Sequence, residues 1–149
     1  MRKIQKILFP IDFAENFETF LPWVSTFVDK FGATLYVVFV AQDLSEFSSF
    51  YVPHASIQGF QEEALAAAQK KMAAAVQESF KKFHKLETRV AVGAPAAKIL
   101  ELAEKEKIDL IIMGTHGRKG LERTIFGSVA DKIVQAAPCP VLTVRPDKA

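Results

Sequence analysis

The chain has 149 residues, half of them hydrophobic and 24% charged, with a formal net charge of +2; this describes one globular domain over residues 1–149 and lacks the basic stripe of a nucleic-acid binder. The basic start, Met1 to Lys6, is followed only by Ile7-Leu8-Phe9 before Pro10, so neither a signal peptide nor a membrane span is expected and the protein is placed in the cytoplasm. One cysteine, Cys139, and three scattered histidines, His54, His84 and His116, exclude an internal disulfide and give no zinc-ligand spacing.

Strand-length apolar runs alternate with segments of helical period, the pattern of a parallel sheet covered by helices. Ile4 to Phe9 is the first strand. Phe17, Phe20, Leu21, Val24, Phe27, Val28 and Phe31 then recur at three- to four-residue steps, with Pro22 kinking that helix or lying early in it and Gly32 placed to end it. Thr34 to Val40 is almost continuously apolar and reads as a strand buried on both faces. Residues 41 to 58 lack a period and are expected to form a long loop, with the length of a lid. Its Phe50 and Tyr51 could close over a base or serve loop or interface packing.

A long alanine-rich helix follows, its stripe marked by Phe60, Ala64, Ala68, Met72, Val76, Phe80 and Phe83, and then a strand from Leu86 to Val92. Gly93-Ala94-Pro95 forms a turn whose proline suits a first helical position, and Ile99, Leu100, Leu102 and Ala103 give the next helix its inner face. Asp109 to Met113 is the fourth strand; Ala130, Ile133, Val134 and Ala137 mark the last helix and Val141 to Val144 the last strand. That apolar edge needs cover, which a twofold partner would supply.

The chemistry is expected where the fourth strand runs into Gly114-Thr115-His116-Gly117 and, nine residues on, Gly127-Ser128 opens the last helix, a Gly-x2-Gly-x9-Gly-Ser pattern. In an open parallel sheet ligands bind beyond the carboxyl ends of the strands. Glycines let the main chain approach a phosphate, and N–H groups of Gly127, Ser128 and Val129 at a helix start would point at it. Arg118, Lys119 and Arg123 against Glu122 make the connecting segment cationic. The plainer alternative is that the glycines only turn the chain and Ser128 with Asp131 forms a capping box. Neither a Walker loop nor a dinucleotide fingerprint is present.

At this point the chain resembles the universal stress protein family, in its ATP-binding branch. The resemblance rests on Lys6-Ile7-Leu8-Phe9-Pro10-Ile11-Asp12-Phe13, Gly93-Ala94-Pro95, Asp109 through Gly117, Phe126-Gly127-Ser128-Val129-Ala130 and Cys139-Pro140-Val141-Leu142-Thr143-Val144. It implies a Rossmann-like α/β fold, a five-stranded parallel sheet in the order 3-2-1-4-5 with helices on both faces, and a homodimer paired through the last strand. It further implies that the chain binds ATP, alone or with Mg2+ or Mn2+. Carried onto this sequence, Pro10, Ile11 and Asp12 resemble the first-strand wall of an adenosine pocket, and Val40 the second-strand residue whose main chain meets adenine. Met113 and Gly114 would lie near the nucleoside; Gly117, Gly127, Ser128 and Val129 would surround the phosphates. Ala14 departs from the serine of many relatives.

Single residues divide between site and scaffold. Asp12 ends a strand on the ligand side, where it could serve the site or cap the next segment; His116 could bond a phosphate but has no paired acid; Asp109, at the opposite strand end, reads as structural. Cys139, between two prolines, reads as a small packed residue and not a reactive thiol. No catalytic base is evident, so the leading expectation is a nucleotide-dependent stress-response module with an unidentified regulatory protein partner. Two alternatives stay open: a slow ATPase or nucleotidyl transferase using Asp12 or Asp43, and a chaperone-like interaction subunit whose site stays empty.

Overall fold

Strands apolar on both faces must be covered on both faces. In the computed structural model, which describes residues 1–42, 54–114 and 125–145, five parallel strands form one sheet: β1 (Lys6–Ile11), β2 (Thr34–Gln42), β3 (Leu86–Gly93), β4 (Leu110–Gly114) and β5 (Val141–Val144), in the order β3-β2-β1-β4-β5. The crossovers carry α1 (Leu21–Phe31), preceded by a 3-10 turn at Phe17–Phe20, α2 (His54–Ser79), α3 (Pro95–Lys105) and α4 (Ile125–Ala136). Right-handed connections leading outward in both directions from β1 place α1 and α2 on one face and α3 and α4 on the other. The α/β fold and strand order expected from the sequence are thus the ones observed.

Side-chain alternation sorts the core into two layers. Ile7, Phe9, Leu35, Val37 and Ile112 pack with Leu21, Val24 and Val28 of α1 and Met72 and Ala75 of α2. Leu8, Tyr36, Val38, Ile111 and Met113 pack with Ile99 and Ala103 of α3 and Val129, Ala130 and Ile133 of α4. No helix among the described residues is long and apolar enough to cross a membrane.

Several boundaries differ from the sequence expectation. β1 starts at Lys6 and runs through Pro10 to Ile11, because its partner β2 pairs continuously from Thr34 to Phe39. Proline is tolerated there because β1 pairs with β4 only at Ile7↔Leu110 and Leu8↔Ile111, so Pro10 lies past the last rung on that side. Pro22 takes the second position of α1, the early placement of the two expected, and Gly32 ends the helix in the left-handed conformation, φ 60°. Residues 41 and 42 extend β2 and residues 54 to 58 belong to α2, so the expected loop is shorter at both ends; Phe50 and Tyr51 lie outside the described residues. Phe60 and Val134, expected in the core, are 50% and 55% exposed. Phe80 and Phe83 are buried but stand beyond the end of α2.

Asp109 does what its position suggested. Its Oδ2 accepts the main-chain N–H groups of Gln5 at 2.9 Å and Lys6 at 3.0 Å, while its own N–H donates to the Lys6 carbonyl at 2.9 Å. A carboxylate taking two N–H bonds fixes where β1 enters the sheet. Asp109→Ala is expected to cost about 1–3 kcal/mol of stability, read as a lower urea midpoint; an unchanged midpoint would show the clamp to be redundant.

Candidate functional site

The strand ends do not stop level, and this creates the site. β1 ends at the rung Ile11↔Phe39, whereas β2 continues against β3 through Val40↔Ala91, Ala41↔Val92 and Gln42↔Gly93. On the other side β1 separates from β4 after Leu8↔Ile111. The crossover from β1 to its neighbour β2 and the one that enters its other neighbour β4 lie on opposite faces, so the space beyond the carboxyl end of β1 is the switch-point crevice where open parallel sheets hold ligands.

A cavity of about 260 Å³ lies there. Ile11, Asp12 and Ala14 supply its β1 side, and Val38, Val40 and Gln42 its β2 side. Pro95 and Ile99 of α3 and Val129 of α4 close it from the helix layer, with Phe39 completing the lining. Tyr36 and Val38 belong to the α3/α4 core layer, so by strand alternation Val40 and Gln42 present their side chains to the same face. The main chain alternates as well. Thr34 N–H donates to Gln5 on the β1 side and Leu35 N–H to Lys85 on the β3 side, which turns the peptide groups of Val40 and Gln42 toward β1. Gln42 is three residues past the last β1 rung, so its peptide groups face the crevice.

Asp12 serves the turn as well as the cavity. Its Oδ1 accepts the Ala14 N–H at 2.9 Å and its carbonyl accepts the Glu15 N–H at 3.1 Å, an Asx-type turn that bends the chain away from the strand end. Aromatic rings hold this turn from behind. Phe13 packs edge-on against Phe39 at 4.6 Å between centroids and against Phe17 at 6.2 Å, and Phe17 stacks on Phe80 at 5.6 Å.

Of the residues singled out in the sequence, Ile11, Asp12, Val40 and Val129 line the cavity. Pro10 is buried in β1 just beneath it, and Met113 is fully buried in the α3/α4 core layer, outside the lining. Gly114 ends β4, and its missing side chain has a packing reason: a Cβ there would come within 2.5 Å of Phe20 Cζ. His116 and Gly117, with Arg118, Lys119 and Arg123, lie outside the described residues, as does Asp43.

The start of the last helix needs correction. α4 begins at Ile125, two residues before the expected opening at Gly127-Ser128. Gly127 is therefore the third helical residue, and the N–H of Val129 falls where it bonds within the helix to the carbonyl four residues earlier. Of the three N–H groups expected to face a phosphate, only that of Gly127 remains in the open first turn, and Ser128 is not positioned as the capping residue. Its side chain is exposed.

Six lining residues were not assigned to the site from the sequence: Ala14, Val38, Phe39, Gln42, Pro95 and Ile99. Pro95 had been noted only for its turn, and Gln42 lay beyond the expected strand end. Among the described residues no group of three or more His, Cys, Asp or Glu side chains could hold a metal ion. Cys139 is half-buried, and burial, reinforced by the Asp109 charge, pushes its thiol pKa up, which keeps it protonated and weakly nucleophilic.

Universal stress protein MJ0577 of Methanocaldococcus jannaschii is 29% identical over 95% of this chain and 94% of its own length. The solved structure of MJ0577, presented as a structure-based assignment of the function of a hypothetical protein, matches with a TM-score of 0.80 at 27% identity, covering 99% of this chain and 100% of that one. Universal stress protein MJ0531 of the same organism is 52% identical over 64 residues, 43% of this chain, and the match spans only 38% of that protein's length. Three more distant structures share the fold and carry nucleotides. They are a universal stress protein in complex with cAMP (TM-score 0.58, 23% identity, 98% of this chain and 100% of that one), one from Archaeoglobus fulgidus with dAMP (0.65, 19%, 95% and 98%) and a family protein from Arabidopsis thaliana with AMP (0.63, 15%, 96% and 92%). The profile of the universal stress protein family matches residues 3–145, and with the strand order and the crevice beyond β1 already in place, this chain belongs to the universal stress protein family.

Proposed function

We propose that this protein binds an adenine nucleotide in the crevice beyond β1 and uses its occupancy to regulate another protein, without strong catalysis. The carrying observation is the cavity: about 260 Å³ of mostly apolar space at the strand ends, with polar side chains, among the described residues, only at Asp12 and Gln42. That is the composition of a site for a flat, partly apolar ligand with a few directed hydrogen bonds. The three nucleotides found in structural neighbours, cAMP, dAMP and AMP, share adenine and differ in sugar and phosphate, which favours the base as the common determinant.

In this reading Ile11, Val40 and Val129 enclose the nucleoside and Asp12 accepts from a ribose hydroxyl. The phosphates run toward Gly114 and Gly127, the latter in the open first turn of α4, with the Ser128 hydroxyl, His116 and Gly117 as their further proposed contacts, a pattern that favours ATP, with or without Mg2+ or Mn2+. The β5 edge, with Val141, Leu142 and Val144 only half-buried, supports assembly of two copies through that strand.

Calorimetric titration of the full chain with AMP, ADP and ATP, with and without Mg2+, tests the reading. Saturable binding at or below millimolar nucleotide is expected. No heat from any of the three at millimolar concentration would remove adenine nucleotides as the ligand class.

A further inference from the structure

The residue that selects the base has no motif to announce it. Among the described residues, Gln42 is the only cavity-lining residue apart from Asp12 with a polar side chain; Ile11, Val38, Val40, Pro95, Ile99 and Val129 present hydrocarbon. The two polar side chains differ in place and in chemistry. Asp12 follows the end of β1, and an ionised carboxylate only accepts hydrogen bonds, which suits hydroxyl groups. Gln42 is the last residue of β2, in register with Gly93 of β3, and its side-chain amide offers a donor and an acceptor in one plane. The rest of the cavity is an apolar slot, with Val38 and Val40 contributed by β2 and Pro95 and Ile99 by α3. A planar base fits such a slot by its faces, so discrimination between bases must come from the edge.

We infer that the Gln42 side chain is a specificity determinant of this site beside the Val40 main chain, pairing through its amide with the N6 amino group and N7 of adenine and thereby disfavouring guanine; this rests on the adenine-nucleotide reading above. The chemistry is complementary in only one of the two cases. Adenine presents a donor at N6 beside an acceptor at N7, which matches the carbonyl and NH2 of a glutamine, whereas guanine presents two acceptors at O6 and N7 and leaves the amide carbonyl facing an acceptor. The position supports the role. Strand alternation aims the Gln42 side chain at the α3/α4 face of the sheet, where the slot is, and the strand that would otherwise flank it, β1, has already ended at Ile11.

The test compares AMP, GMP and 7-deaza-AMP by calorimetry on the full chain, in wild type, Gln42→Ala and Gln42→Arg. One bidentate pair of this kind is worth roughly a 5- to 150-fold difference in affinity. Wild type is expected to favour AMP over GMP and to lose affinity for 7-deaza-AMP, which lacks the N7 acceptor. Gln42→Ala should weaken AMP by that factor, leave GMP little changed and bring AMP and 7-deaza-AMP to the same affinity. Gln42→Arg, with two donors, should move the preference toward GMP. The Gln42 side chain is exposed, so the variants should keep the wild-type melting curve. If wild type binds AMP and Gln42→Ala retains the same AMP to GMP ratio, Gln42 does not select the base, while the adenine-nucleotide reading stands. If wild type binds none of the three, that reading falls and this inference falls with it.

Discussion

Phe80→Ala is expected to lower the unfolding free energy by about 3–5 kcal/mol, the range for removing a large ring from a close-packed interior. Phe80 is fully buried, and its ring meets Phe17 in a parallel stack at 5.6 Å, Phe9 edge-on at 6.5 Å and Phe83 at 6.0 Å. It sits one residue past the end of α2, so relaxation into the hole would have to move a strand, the 3-10 turn and the helix end together. Total stabilities of single domains are about 5–15 kcal/mol, so the variant should approach unfolding at modest urea, read by circular dichroism at unchanged denaturant slope. The loss should also reach the cavity. Phe17 joins Phe80 to Phe13, and Phe13 packs on Phe39 of the lining, so nucleotide affinity should fall alongside stability. A wild-type urea midpoint would mean that neighbouring rings refill the space.

The parts of the fold that could be read from the chain are those in which one physical requirement dominates. Thr34 to Val40 has to be a doubly covered strand because an unbroken apolar run has no other place in water. Gly32 has to end α1 because a left-handed residue costs least without a side chain. The ends of elements obey tertiary contacts instead. Ala41 and Gln42 are strand residues because Val92 and Gly93 pair with them, and neither has much intrinsic preference for a strand. The glycine pattern has Gly127-Ser128 open the last helix, yet α4 begins at Ile125, two residues before that glycine.

The site was legible in a similarly uneven way. Ile11, Asp12 and Val40 came from resemblance to a family and Val129 from the helix-start pattern, where its N–H was the expected contact; the structure places all four around one cavity. Gly114 shows how a glycine can be chosen for a reason that its motif does not reveal, since Phe20 occupies the space a Cβ would need. Gln42 gives no periodic or motif signal; only the difference in length between β1 and β2 makes it a lining residue.

Ala14→Trp is expected to reduce adenine-nucleotide affinity at least about tenfold, which is about 1.4 kcal/mol of binding free energy, while leaving stability within about 0.5 kcal/mol of wild type. Ala14 lines the cavity, yet it is exposed, so an indole there meets the cavity mouth and not the core. Its main chain is anchored, because the Ala14 N–H donates to Asp12 Oδ1 at 2.9 Å, and that bond does not depend on the side chain at position 14. The substitution thus fills space without removing a polar contact, which separates occlusion from the loss of a hydrogen bond. Comparison with Asp12→Asn sharpens the result: asparagine can keep the turn through its side-chain carbonyl while losing the charge. If the ligand lies in this crevice, Ala14→Trp weakens AMP, ADP and ATP by similar factors, because the nucleoside they share is displaced. Equal affinity in Ala14→Trp and wild type, measured by calorimetry on proteins with matching melting curves, would place the nucleotide elsewhere on the chain.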